Sequence, residues 1–201
     1  MPKKASLIRV TTVLSFLDSH WLQFWYKSVG IAEAERISKE SAAFGTAVHK
    51  VVEDWLVNNC VAIRTTQTDR QIECANHIMS WLQEVKAKPL HIEPKLEDKK
   101  LGLCGHADLI AEIDGTNWVL DWKTSKKVSL TYPLQLSAYA AMASKQFRLK
   151  IDNGAIVRVP NDPKADPQFE VVQYNGMSKW FKMFKQFLAV YKYLTGKDKI
   201  V

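Results

Sequence analysis

The feature that most constrains this chain is a pair of apolar runs on either side of a tight-turn signal. Leu109-Ile110-Ala111-Glu112-Ile113 is followed by Asp114-Gly115-Thr116-Asn117 and then Trp118-Val119-Leu120. Asp-Gly between two such runs predicts a β-hairpin, because the tight turn that matches strand twist needs residues tolerant of positive φ. Asp108 stands near the start of the first strand and Asp121 near the end of the second. Antiparallel pairing lays those two ends side by side, so two carboxylates distant in sequence meet. Side chains alternate along a strand, so Asp121 and Lys123 share a face and Trp122 takes the other. Two carboxylates and a lysine at one sheet edge suit a divalent cation and the management of a water molecule.

The flanking sequence reads mostly as helices. Residues 8–12 suit a short strand or an extended lead-in. Thr11-Thr12 can cap a helix over 13–17, and Asp18 or Ser19 a second over 21–29 that ends at Gly30. Trp21, Phe24, Trp25 and Tyr26 crowd that second helix, either as a stacking platform for unpaired bases or as core aromatics. A long helix is expected over 41–59 with Ser41 as its cap, because Phe44, Val48, Val51, Val52, Trp55 and Leu56 recur at helical spacing. His49 and Glu53 are four apart and share a face beside that stripe, as a solvated pair or as site residues. Thr68 or Asp69 caps another helix, whose inward stripe is Ile72, Ala75, Ile78, Met79, Leu82 and Val85 and which ends near Lys88-Pro89.

A strand over 90–96 carries Glu93, which faces either the pocket or solvent, and a turn over 97–100 leads into the hairpin. Beyond Lys123, a polar stretch precedes a helix from about Pro133 to Phe147, with proline suited to its first turn. Gln135 and Tyr139 lie four apart on one side of it. Strands over 151–160 and 169–174 and a helix over 177–194 complete the order. This succession predicts an α/β fold, a mixed central β-sheet flanked by helices. At 201 residues the chain suits one domain over 1–201.

Composition narrows the class. Apolar residues at 47% and charged residues at 24% are ordinary for a globular chain, and no window approaches a membrane span. Met1-Pro2-Lys3-Lys4 is basic, but no apolar region follows it, so no signal peptide is expected. The scattered Cys60, Cys74 and Cys104 argue against a disulfide framework or a structural zinc site and suit a reducing compartment. A net charge of +7 points to an anionic partner, and nucleic acid is the usual one.

Four motifs in order carry a resemblance. Gly45-Thr46-Ala47-Val48-His49, Gly105-His106-Ala107-Asp108, Asp121-Trp122-Lys123-Thr124 and Gln135-Leu136-Ser137-Ala138-Tyr139 resemble the PD-(D/E)XK nuclease superfamily, and within it the RecB-like exonuclease branch. That branch includes mitochondrial genome-maintenance and many phage exonucleases. The resemblance implies a restriction-endonuclease-like core and metal ligation by His49, Asp108, Asp121 and the Trp122 carbonyl. Lys123 would orient or activate the attacking water and steady the phosphate charge. Gln135 and Tyr139 would support the site and the substrate backbone. Glu53 and Glu93 would stand behind the ligands, and Thr124, Lys126, Lys127 and Arg158 would carry phosphates.

Carboxylate oxygens suit Mg²⁺ or Mn²⁺, with the histidine tilting the site toward Mn²⁺. Some members of the branch carry a four-cysteine iron–sulfur cluster; three cysteines lead us to expect none here. The implied activity is a metal-dependent DNA exonuclease acting on single-stranded ends in replication, recombination or repair. Protein partners from those processes are implied, and so is the cytoplasm of a bacterial cell or phage-infected host. Two other readings stay open, an endonuclease of the same fold and a non-catalytic nucleic-acid-binding module.

Overall fold

The computed structural model describes residues 7–59 and 67–197, with the backbone alone for 18–25. Cys60 and the side chains of Trp21, Phe24 and Trp25 therefore lie outside the described residues.

The hairpin forms as expected. β5 (Leu109–Ile113) and β6 (Thr116–Lys123) pair antiparallel, with Leu109 opposite Leu120 and Ile113 opposite Thr116. Asp114 and Gly115 have φ of 48° and 71°, the positive values that a two-residue turn of this hand requires. One register step beyond Leu109–Leu120, Asp108 and Asp121 are neighbours at the open end.

This pair is the middle of a five-stranded sheet with order β2-β5-β6-β7-β8. β2 (Lys88–Ile92) lies antiparallel to β5, β7 (Ile151–Arg158) parallel to β6, and β8 (Glu170–Asn175) antiparallel to β7. A parallel neighbour needs a crossover, and α4 (Tyr132–Phe147) provides it between β6 and β7. The sheet is mixed and flanked by helices, but it is not alone. β1 (Ile8–Arg9), β4 (Leu103–His106) and β3 (Lys95–Asp98) form a second, three-stranded mixed sheet in the order β1-β4-β3. The single strand expected over 90–96 is divided between the two sheets. The break falls at Glu93, whose φ of 46° no extended strand can absorb.

The alternation of β5 and β6 separates two cores. Ile110, Val119 and Ile156 pack with α4 and with Phe184, Leu188 and Tyr191 of α5 (Met177–Leu194). Leu109, Ala111, Leu120, Trp122, Ala155 and Val157 point the other way. They pack on Val48, Val51 and Val52 of α2 (Ile31–Asn58) and on Ile78 and Leu82 of α3 (Asp69–Glu84). Thr68 caps α3 in a reciprocal box with Gln71, and this cap replaces the alternative at Asp69. Among the described residues, no helix is long and apolar enough to cross a membrane.

Three helix boundaries differ from expectation, the first at α3, which ends at Glu84 and leaves Lys88 and Pro89 to β2. α1 (Val10–Val29) is one helix, because nothing between 13 and 29 breaks it and neither Thr11 nor Thr12 serves as a cap. α2 begins ten residues before Ser41, directly after Gly30 at φ 86°. Residues 31–40 are good helix formers, and Arg36 ties Glu33 to Glu40 with contacts of 2.6 Å along the exposed face.

Gly105 in β4 lies directly beneath the Tyr139 ring, and an added Cβ would overlap Tyr139 Cε1. Gly105→Ala should therefore displace Tyr139 and cost about 1–3 kcal/mol, the usual range for overpacking. A thermal melt of the purified variant reads this, and an unchanged midpoint would refute the close approach.

Candidate active site

The site begins with the hairpin's open end. Asp121 is 2% exposed, and its Oδ1 accepts a hydrogen bond of 3.0 Å from Gln135 Nε2. The same Gln135 nitrogen lies 3.2 Å from the Tyr139 hydroxyl, so one turn of α4 presents both side chains to the carboxylate. Asp121 Oδ2 is in ion contact with Lys123 Nζ but has no hydrogen-bond partner among the described residues. Asp108 Oδ2 accepts the Trp122 N–H at 2.6 Å, which ties the first strand's carboxylate to the second strand's backbone. Its Oδ1 lies 3.1 Å from His49 Nδ1. The other ring nitrogen, Nε2, is 3.2 Å from the Trp122 carbonyl. α2 delivers His49 because Val48, Val51 and Val52 anchor the helix on the sheet face that also buries Trp122.

These groups polarise one another. Burial disfavours an imidazolium at His49, but the Asp108 carboxylate outweighs it and lifts the pKa to about 9. Burial would raise Asp108, yet His49, Lys123 and the Trp122 N–H hold it below the usual carboxylate range. Burial wins at Asp121, pushing it up to about 6 with help from the Asp108 charge. Lys123 stays above the ordinary lysine value, because Asp121 and Asp108 more than offset its burial. Burial also carries the Tyr139 hydroxyl up to about 12.

Glu93 joins this group. One ligand atom from each of His49, Glu93 and Asp108 can be chosen so that all lie within 4.8 Å of one another. Burial, then repulsion from Asp108, lifts the Glu93 carboxyl to about 7. Its backbone kink between β2 and β3 turns it toward the site, and of the two orientations open from sequence the pocket is the observed one. His106 stands beside it, with Nδ1 3.5 Å from Glu93 Oε2. Sequence reasoning assigned His106 no role; its place two residues before Asp108 was the available signal. Asp121 is not part of that trio, because Lys123 and Gln135 hold it on the α4 side.

Other expected residues divide. Glu53 lines the cleft but pairs with Lys50 at 2.9 Å instead of steering His49. Thr124 and Lys126 line the cleft, and Lys126 Nζ lies 3.0 Å from Asp162 Oδ2. Lys127 is exposed on the same loop. Arg158 is a correction: it is 3% exposed and presents no charge to a phosphate. Its guanidinium is spent on Glu170 at 2.7 Å and on the Lys126 and Pro167 carbonyls at 3.1 Å each. It holds the backbone of the basic loop.

The resulting cleft has a volume of about 1160 Å³. α2 forms one wall through Ser38, Ser41, Gly45 and Thr46, and Thr124, Lys126 and Asn161 form the other. The donor set at its floor, His49, Glu93 and Asp108, offers one imidazole and two carboxylates, and the Asp121 oxygen that lacks a hydrogen bond lies buried beside Lys123. That set fits a divalent cation of the Mg²⁺ or Mn²⁺ kind.

The PD-(D/E)XK nuclease superfamily model matches residues 21–192, and the chain belongs to that superfamily. The chain is also similar to Mitochondrial genome maintenance exonuclease 1 of Mus musculus, at 29% identity over 138 residues. That match covers 63% of this chain and 40% of the mouse protein, so the chain spans less than half of its relative. A crystal structure described as an exonuclease from Eubacterium rectale aligns at TM-score 0.48 and 10% identity, covering 79% of this chain and 69% of the other. The crystal structure of SSO0001 aligns at TM-score 0.47 and 14% identity, covering 96% and 79%.

A cation that binds only the folded protein at a hundredfold excess over its dissociation constant should stabilise it by about 2.7 kcal/mol. At about 2–4 °C per kcal/mol, this raises the melting temperature by roughly 5–11 °C. Asp121→Asn keeps the shape and removes a charge. It should lose most of the shift that Mn²⁺ or Ca²⁺ produces over EDTA. Equal shifts in variant and wild type would take Asp121 out of the cation site.

Proposed function

We propose that the chain is a divalent-cation-dependent DNA exonuclease that works from single-stranded ends, in replication, recombination or repair. The observation that carries this reading is the convergence of Asp108, Lys123, His49 and Trp122 at the floor of one cleft, with Asp121 buried against Lys123. Membership of a nuclease superfamily makes phosphodiester hydrolysis the reaction class. The choice of exonuclease rests on the likeness to the mitochondrial exonuclease, and Mg²⁺ or Mn²⁺ on the oxygen-rich donors.

Asp108, Asp121, His49 and the Trp122 carbonyl would hold the cation, with Glu93 completing the carboxylate set. A cation held there would supply Lewis-acid polarisation of the phosphate and a lowered pKa for water. The chain's own groups do the rest. Lys123 places an ammonium at the edge of the carboxylate cluster, where it meets negative charge growing on the phosphate. Gln135 fixes Asp121 through Oδ1, while Oδ2 lies buried against Lys123. Tyr139 backs Gln135 from the next turn. Thr124, Lys126 and Lys127 lie along the exit of β6, where a strand's phosphates would run.

Lys123→Ala should leave cation and DNA binding largely intact and lower the cleavage rate by about two to three orders of magnitude, the scale of losing one preorganised donor. Single-turnover cleavage at near wild-type rate would remove the lysine from the mechanism.

Circular and linear single-stranded DNA incubated with Mg²⁺ test the activity itself. Degradation of the linear form alone is expected. Loss of both forms would make the protein an endonuclease, and loss of neither a binding module.

A further inference from the structure

Leu130 is the most exposed large apolar side chain among the described residues, at 94%. One exposed leucine means little by itself. This one sits at the apex of a turn that is held from below. Ser129 Oγ accepts the Thr131 N–H at 3.1 Å and lies 2.7 Å from Thr131 Oγ1. The Tyr132 N–H donates to the Ser129 carbonyl at 3.2 Å, which closes the turn. Ser125 Oγ then joins the two ends of the loop, donating to the Lys127 carbonyl at 2.9 Å and meeting the Tyr132 hydroxyl at 2.9 Å. Arg158 pins the Lys126 carbonyl from the protein interior. These bonds tie down the backbone on both sides of Leu130.

The loop's position matters as much as its stiffness. It leaves the active site at Lys123 and returns at Tyr132, whose ring centroid lies 5.4 Å from Lys123 Nζ. Leu130 is two residues from Tyr132, so their Cα atoms are at most about 7.6 Å apart. A stacked strand advances about 3.4 Å per nucleotide, which puts Leu130 within a few nucleotides of a phosphate at Lys123. Lys126 and Lys127, both exposed, accompany it on the same loop. An apolar tip between cationic side chains matches a polyanion that carries apolar rings.

We propose that Leu130 packs on the face of an unpaired nucleobase in the bound strand, with Lys126 and Lys127 on the flanking phosphates. This rests on the nucleic-acid reading of the cleft above. It assigns the loop a positioning role that holds the strand in register with Lys123.

The test is binding in Ca²⁺, measured by fluorescence anisotropy with a labelled oligodeoxythymidylate and with copies carrying one abasic residue scanned along it. Leu130→Ala should weaken binding of the intact oligonucleotide about threefold to tenfold, the scale of partly burying one leucine side chain. Its melting temperature should not move, because the side chain has no intramolecular packing to lose. One abasic position should weaken the wild type by a similar factor and cost the variant nothing more. Leu130→Asp should bind more weakly still. Equal affinities for wild type and Leu130→Ala, or the same abasic penalty in both, would overturn the contact. A wild type that binds with this pattern but does not hydrolyse DNA supports the contact and removes the nuclease activity. A wild type that does not bind DNA overturns both.

Discussion

The structure depends on keeping two buried carboxylates side by side. Asp108 and Asp121 are forced together by the hairpin register, and burial makes their mutual repulsion expensive. Three groups offset that cost. His49 comes to Asp108 from α2, the Trp122 N–H comes from β6, and Lys123 comes to Asp121 from the next same-face position of the strand. Each arrives from an element whose placement is fixed by apolar packing elsewhere. Gln135 adds a neutral donor from α4 without adding charge.

The two cores explain how helices on opposite faces reach one site. Along β5 and β6 the apolar residues alternate between the α4–α5 core and the α2–α3 core. At the open end of the hairpin the faces stop being separate. There Asp121 and Lys123 meet α4, while the Trp122 backbone and Asp108 meet His49 of α2. A shift of one residue in the β5–β6 register would exchange the two faces and remove the carboxylates from the cleft. The Asp114-Gly115 turn therefore acts on the chemistry from the far end of the hairpin.

Much of this could be read from the residues, and the failures have causes. Asp-Gly between apolar runs predicted the hairpin, and period-two alternation placed Asp121 and Lys123 together, because both are local rules. Four-residue spacing put Gln135 and Tyr139 on one side of a helix, and the family resemblance put them at the site. The second sheet was missed because β1 and β4 are very short and Gly102 and Gly105 make the β4 region look like a turn. Glu93 was placed within one strand because a positive φ at a glutamate leaves no local signature. Arg158 was read as a surface base because its partners, Glu170 and two carbonyls, come from a neighbouring strand and two loops. Long-range partners of this kind are absent from any spacing rule.

The charge distribution also constrains how a strand could be held. The chain carries +7 overall, but the cleft floor gathers Asp108 and Glu93, with Asp121 buried behind them, and these carboxylates repel phosphate. Long-range attraction can bring a polyanion to the protein without placing it at the floor. On the proposed reading, Lys123 resolves the conflict by its position. In the structure it is engaged with Asp121, so its charge is absorbed by the cluster. A cation at the carboxylates would take over part of that neutralisation and leave the ammonium free to face phosphate. The lysine would then serve in succession as counter-ion to the folded site and as donor to the substrate. A neutral residue there could do neither, and arginine would bring a wider fork into space shaped for a single ammonium.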